Sequence, residues 1–142
     1  MILVSACSVV PRYAGKYKGQ KLNNPEESIN NYSELSESYE TISGLASYYA
    51  EKFNGRTTSS GEIYDMYGLT AAHPTMPFGT ILRITNLKNF RTVIVRINDR
   101  MPEHPERIID ISYGAASELD MLRDGVITVQ IDVLEWGPEI NN

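Results

Sequence analysis

Between Ile42 and Trp136 apolar residues return at every second position in short runs bounded by turn-forming residues. That period predicts strands rather than helices. Six runs qualify, from Gly44 to Ala50, Leu69 to Ala72, Thr80 to Asn86, Arg91 to Asn98, Arg107 to Ile111 and Ile127 to Trp136. The last sets Ile127, Val129, Ile131 and Val133 against Thr128, Gln130 and Asp132, which predicts one buried and one wet face. Asn86-Leu87-Lys88-Asn89 fits a hairpin loop. A helical pattern occurs once, with Ser112 as N-cap, Ala115, Ala116, Leu119 and Leu122 as its apolar stripe, and Asp124-Gly125 as its stop. Many strands with one helix predict a mainly β fold, a small closed barrel.

Upstream the pattern disappears. In residues 8–42 aliphatic residues are sparse and without period, with Arg12, Lys16, Lys18 and Lys21 followed by Glu26, Glu27, Glu34, Glu37 and Glu40. Such a segment cannot bury enough surface to offset its ordering entropy, so it is expected to be a polar tether. Residues 1–7 end in Val4-Ser5-Ala6-Cys7, similar to a bacterial lipobox, whose cysteine would carry the lipid. The stretch lacks a basic n-region and most of an apolar core, so a longer signal is expected. Incidental free thiol is the plain alternative for Cys7. The barrel is expected over residues 43–136, with 137–142 as a tail.

Composition narrows the partners. At 142 residues with a net charge of −5, the chain holds a single domain and offers no basic stripe for phosphates, so no nucleic-acid partner is expected. The lone cysteine excludes an intrachain disulfide. Two histidines and scattered acids show no metal-ligand spacing, and neither metal nor cofactor is expected.

The candidate chemistry lies in two carboxylates and a histidine. By strand parity Asp99 shares a face with Val93, Val95 and Ile97, where burial would raise its pKa toward that of a general acid. A strand-end Asp closing a turn or pairing with Arg100 is the alternative. Glu62 follows the turn-like stretch from Thr57 to Gly61 and is either a cleft carboxylate or an exposed loop acid. His73 either hydrogen-bonds Asp99 or closes its strand before Pro74. Tyr48, Tyr49 and Tyr64 are stacking or packing residues. Ser112, with no paired histidine, is a cap.

The ordered segments Gly44-Leu45-Ala46-Ser47-Tyr48-Tyr49, Phe53-Asn54-Gly55-Arg56-Thr57, Ser60-Gly61-Glu62, Thr70-Ala71-Ala72-His73, Pro77-Phe78-Gly79-Thr80, Asn98-Asp99-Arg100 and Arg107-Ile108-Ile109-Asp110-Ile111-Ser112 closely resemble the rare lipoprotein A (RlpA) family. The resemblance implies a six-stranded double-psi β-barrel related to barwin and expansins, with one short helix. It also implies endolytic lytic transglycosylase activity on the naked glycan strands of peptidoglycan, leaving 1,6-anhydro-N-acetylmuramic ends, with Asp99, Glu62 and His73 as the catalytic set. Tyr48, Tyr49, Ser60, Asn98, Arg100 and Met101 would line the substrate side. Asp110 is expected to cap the helix after β-strand 107–111. The implied setting is the outer membrane of a Gram-negative bacterium, facing the periplasm, with glycan strands and divisome proteins as partners and Cys7 as lipid anchor.

Two departures are visible. Met101 stands where the family keeps glycine, and is expected to narrow the groove or redirect the loop if that glycine takes positive φ. No SPOR domain follows Trp136, so recruitment to septal wall is expected to come from elsewhere. A binding-only wall module and a hydrolase using Asp99 and Glu62 as acid and base stay open beside the lytic reading.

Overall fold

The computed structural model describes residues 38–138. Cys7 and nearly all of the expected tether lie outside the described residues. The strands are β1 (Glu40–Tyr48), β2 (Thr70–Ala72), β3 (Ile81–Asn86), β4 (Thr92–Asp99), β5 (Arg107–Ile111) and β6 (Ile127–Glu135). A 3-10 turn spans Glu51–Phe53, and one α-helix, α1, spans Tyr113–Glu118. The strands close into a barrel in the order β1-β5-β2-β4-β3-β6. β1–β5 and β2–β4 pair in parallel, and the other four pairs are antiparallel. Every strand has two neighbours, so no ladder is left open at an edge.

The alternation fills this barrel. Leu82 and Ile84, Val93, Val95 and Ile97, Ile109 and Ile111, and Val129, Ile131 and Val133 turn inward as one buried cluster. Each such side chain stabilises the fold by about 1.5–3 kcal/mol through removal from water. Helix α1 forms where its signals place it: the Ser112 hydroxyl accepts from Ala115 N, and Ala115 and Ala116 press into the core. Six residues cannot sustain an isolated helix, so this burial holds it in place.

Two expectations change. β1 begins at Glu40, four residues before the predicted start, and Glu40 to Ser43 pair with Val133 to Gln130 of β6. The end of the expected tether is therefore sheet. Polar residues can take strand positions because the ladder is made by backbone. The predicted wet face of β6 is also interrupted, since Asp132 is buried. Arg83 supplies Nε and Nη2 at 3.0 and 2.9 Å to Asp132 Oδ2, and Thr41 Oγ1 donates at 2.8 Å to Oδ1. Burial pushes this carboxyl up, but the Thr41 and Arg83 hydrogen bonds and the Arg83 charge carry it below its ordinary value.

A third change shapes the site. Ala71 pairs with Ile97, but Ala72 pairs with Asp99, so Asn98 is skipped in a β-bulge. Ile97 and Asn98 are both buried, and strand parity fails at this point.

Candidate active site

The bulge turns Asp99 out of the apolar row. Its carboxylate meets the turn after Thr58: Ser59 N and Arg100 N each donate to Oδ1 at 2.8 Å, and Tyr49 Oη donates to Oδ2 at 2.8 Å. Burial alone would raise this pKa, yet the Ser59, Arg100 and Tyr49 hydrogen bonds together take it below the ordinary carboxylate value. The expectation of a raised pKa on an apolar face is thus reversed in the free protein. Burial, then the bond to Asp99 and its charge, push the Tyr49 phenol upward, so Tyr49 remains a donor. Arg100 does not supply the predicted ion pair through its side chain. Its Nη1 reaches the His73 and Asp99 carbonyls at 3.3 and 3.4 Å, and its guanidinium lies 4.0 Å over the Phe78 ring.

Glu62 is fixed from below by the same strand. Gly61 takes φ +89, a left-handed conformation that suits glycine, and closes a turn in which Thr58 N donates to Glu62 O at 2.7 Å. The Ser60 hydroxyl lies 3.0 Å from Thr58 Oγ1 inside this turn. Arg96 then donates through Nη1 to Oε1 at 2.8 Å and through Nη2 to Oε2 at 2.9 Å, and Asn98 Nδ2 adds a bond to Oε2 at 2.9 Å. The Arg96 and Asn98 bonds hold the Glu62 carboxyl below its ordinary pKa. Asn98 O also accepts from Ser60 N at 3.3 Å. The residue skipped by the ladder therefore fastens Glu62 next to Asp99.

His73 joins the group through its backbone. His73 N donates to Asp99 O at 3.3 Å, while its ring Nδ1 accepts from Thr75 N at 3.1 Å and Met76 N at 3.0 Å. The expected ring contact with the Asp99 carboxylate is replaced by these bonds. An Nδ1 that accepts leaves the proton on Nε2, and burial followed by the Arg100 charge lowers the ring's pKa. His73 is thus a neutral imidazole offering one N–H.

The other expected residues divide. Tyr48 is held by packing, its hydroxyl donating to Leu122 O at 3.1 Å and its ring edge-on to Tyr113. Tyr64 is buried beneath Tyr49, with ring centroids 4.9 Å apart. Met101 is 6% exposed and tucks inward. Among the described residues the non-glycine positive-φ positions are Phe90 and Asp120, so Met101 does not need glycine's conformation. Asp110 does not cap α1, a role Ser112 fills. It accepts from the Ser47 hydroxyl, and Arg107 Nε lies 2.9 Å away without hydrogen-bond geometry. An open groove of about 460 Å³ leads from Tyr49 past Tyr48 and Tyr113 to Val126.

Sequence reasoning missed Ser59 and Arg96. Arg96 did leave a signal, a cation on the outward parity of β4 three positions before Asp99. Ser59 left none, because it acts through its amide.

The family model described as lytic transglycolase matches residues 41–131. The chain is 61% identical over 88 residues to the probable endolytic peptidoglycan transglycosylase RlpA of Treponema pallidum, covering 62% of this chain and 28% of that protein. It is 51% identical over 98 residues to the endolytic peptidoglycan transglycosylase RlpA of Campylobacter jejuni, covering 69% and 36%. The chain thus spans about a third of the length of these curated relatives. Among solved structures, an apo expansin of Clavibacter michiganensis superposes with a TM-score of 0.56 at 20% identity, over 70% of this chain and 53% of that one. The Streptomyces papain inhibitor gives 0.55 at 23% identity, over 67% and 94%. These structural likenesses speak to the fold.

Proposed function

Because this chain belongs to the RlpA family of lytic transglycosylases, sharing its double-psi β-barrel, we propose that it cleaves peptidoglycan glycan strands endolytically. The bond cut is that from N-acetylmuramic acid C1 to the O4 of N-acetylglucosamine. The product is a 1,6-anhydromuramic end, and the setting is wall remodelling and septation. The observation that carries this reading is a half-buried carboxylate, Asp99, held by three donors, with Glu62 fixed to the adjacent residue Asn98.

The proton accounting needs one carboxyl group. Asp99 gives its proton to the glycosidic oxygen as the C1–O bond breaks. The muramic C6 hydroxyl then closes on C1 and returns a proton to Asp99, so no water is consumed. Asp99 is ionised in the free protein, and the start of the reaction requires it protonated. A sugar covering the carboxylate extends the burial that already pushes its pKa upward. Glu62, kept anionic by Arg96 and Asn98, places negative charge near the oxocarbenium-like centre. The His73 Nε2–H donates to a sugar oxygen. Buried Met101 weakens one of the two departures that favoured a binding-only module.

Digestion of amidase-stripped sacculi tests the reaction. Released fragments should carry anhydro ends, one water lighter than reducing ends, and Asp99→Asn should release far fewer. Reducing ends would establish the hydrolase instead. The lipobox-like Val4-Ser5-Ala6-Cys7 supports a lipid anchor in the outer membrane, facing the periplasm, where divisome proteins would be partners. Labelling of cells with a clickable fatty acid should mark the protein and should fail to mark Cys7→Ser.

A further inference from the structure

Asp110 carries a largely buried carboxylate to which the reaction above gives no part. The ladders set it in one row with the acid: Ser47 of β1 pairs with Asp110 of β5, Asp110 with Ala72 of β2, and Ala72 with Asp99 of β4. The Ser47 hydroxyl donates to Asp110 Oδ1, so these two side chains share a face. Tyr49, two residues beyond Ser47, falls on that face by strand alternation, and its backbone N–H donates to Ile111 O at 3.0 Å. Its phenol ends at Asp99. A ring that starts beyond β1 and ends on β4 crosses the two strands between them, and the residues of that row on β5 and β2 are Asp110 and Ala72. Ala72 offers only a methyl group and is fully buried although it lies outside the inward cluster, as the floor beneath such a ring would be.

Two carboxylates therefore act on one phenol. Burial pushes the Tyr49 pKa upward first, then the bond to Asp99 and its charge, then the charge of Asp110 and the Tyr64 phenol. A phenol that donates to a carboxylate draws negative charge onto its own oxygen, and a second carboxylate nearby opposes that movement. Asp110 thus weakens the bond from Tyr49 to Asp99, one of the bonds that hold the Asp99 carboxyl down. Arg107 answers the Asp110 charge incompletely, since its Nε lies 2.9 Å from Oδ1 without hydrogen-bond geometry. The remaining charges around the acid are engaged elsewhere: Glu62 is held by Arg96, and the Arg100 guanidinium lies over Phe78. His73 is neutral, and Lys52 and Arg56 stand over the Phe53 ring.

We propose that Asp110 is a positioning residue of the active site, whose negative charge beside the Tyr49 phenol loosens the grip of Tyr49 on Asp99 and so keeps the acid able to take up its proton. Its consequence for rate rests on the reaction of the preceding subsection, whereas its effect on Asp99 rests on the geometry of the row alone. The three donors on Asp99 orient the carboxylate but favour its ionised form, which cannot give a proton. Asp110 offsets one of them, Tyr49, without displacing it. Orientation is kept, and proton affinity is restored in part.

The test reads Asp99 first and the rate second. In the free protein the Asp99 side-chain carboxyl carbon is followed by NMR through a pH titration. Asp110→Asn keeps the shape that Ser47 grips and should lower the Asp99 midpoint by about 0.3–1 pH unit, as for a change in strength of one charge-assisted hydrogen bond. Arg107→Gln, which leaves the Asp110 charge unanswered, should raise it. With Tyr49→Phe in place either shift should fall below about half, because its route is gone. At neutral pH Asp110→Asn should release anhydro ends about two- to tenfold more slowly with KM unchanged, the same shift read as a rate. Should Asp110→Asn not fold, Arg107→Gln with and without Tyr49→Phe makes the comparison with the opposite sign. An Asp99 midpoint that stays or rises in Asp110→Asn, or a shift of equal size with and without the Tyr49 hydroxyl, would overturn the proposal. A raised KM with an unmoved midpoint would overturn it in favour of a direct contact between Asp110 and sugar. Failure of the unmodified protein to release anhydro ends would overturn the reaction instead, leaving the titrations intact.

Discussion

The Tyr49 hydroxyl donates to Asp99 Oδ2 at 2.8 Å, tying the residue that follows β1 to the last residue of β4 across fifty positions of sequence. This bond is one of those that hold the Asp99 carboxyl down against burial. Removing it by Tyr49→Phe should raise that pKa and move to higher pH the limb of the pH–rate profile on which activity falls as Asp99 ionises. The fold should lose about 1 kcal/mol, as for one ordinary hydrogen bond, measured by urea unfolding.

Asp99→Asn keeps the shape that Ser59 and Arg100 grip but removes the proton carrier. Release of anhydro fragments should fall by about 10²–10⁴-fold, the span of general acid–base catalysis. The unfolding midpoint should change little, and a matching fall in stability would show that the loss was structural.

Arg96→Gln should free Glu62, whose carboxyl then titrates closer to its ordinary value, measured by carbon NMR of the side chain. Both partners are substantially exposed, so their coupling in stability should stay below about 1 kcal/mol. In activity Arg96→Gln should add nothing to Glu62→Gln, because the arginine acts through the carboxylate.

Stability should fall in two stages as the solution is acidified. His73 has a lowered pKa, so its contribution is complete above its ordinary value of 6.5 and is lost as pH falls from there through the folded value. Asp99, Glu62 and Asp132 are likewise lowered, and their contribution disappears below the ordinary carboxylate range. His73→Ala should abolish the first stage and cost about 1 kcal/mol at neutral pH, since two backbone N–H groups lose their acceptor. Calorimetry across pH checks both stages.

Met101→Ala should destabilise the barrel by about 2–5 kcal/mol through the cavity it leaves. The folded fraction should cut glycan as well as the parent protein. Faster cutting would mean that the thioether obstructs substrate after all.

The barrel was legible where one face of a strand meets the core. β3, β5 and β6 follow their apolar alternation almost to the residue, and α1 follows its Ser112 cap. The first residues of β1 were not legible, because Glu40, Thr41 and Ser43 contribute through backbone pairing with β6. Asp132 was misplaced because its burial depends on Arg83 and Thr41, partners remote in sequence. At the site Asp99, Glu62 and His73 were singled out as candidates by their motifs, but their electrostatics were not legible. Parity presumes an unbroken ladder, and the bulge at Asn98 turns an expected apolar neighbour into a hydrogen-bonded carboxylate.

The closure of the barrel has a consequence for how the protein is made. β1, the first strand among the described residues, finds its partners only in β5 and β6, so its first ladder waits for Ile111 and its second for β6. Such distant pairings slow folding, because a long loop must be closed before any contact rewards it. Throughout synthesis the growing chain is an open sheet with two exposed rims, the state in which strands most readily join the wrong neighbour. Closure of the barrel therefore waits for β6, and a factor that holds the chain open until then would meet little resistance from structure already formed.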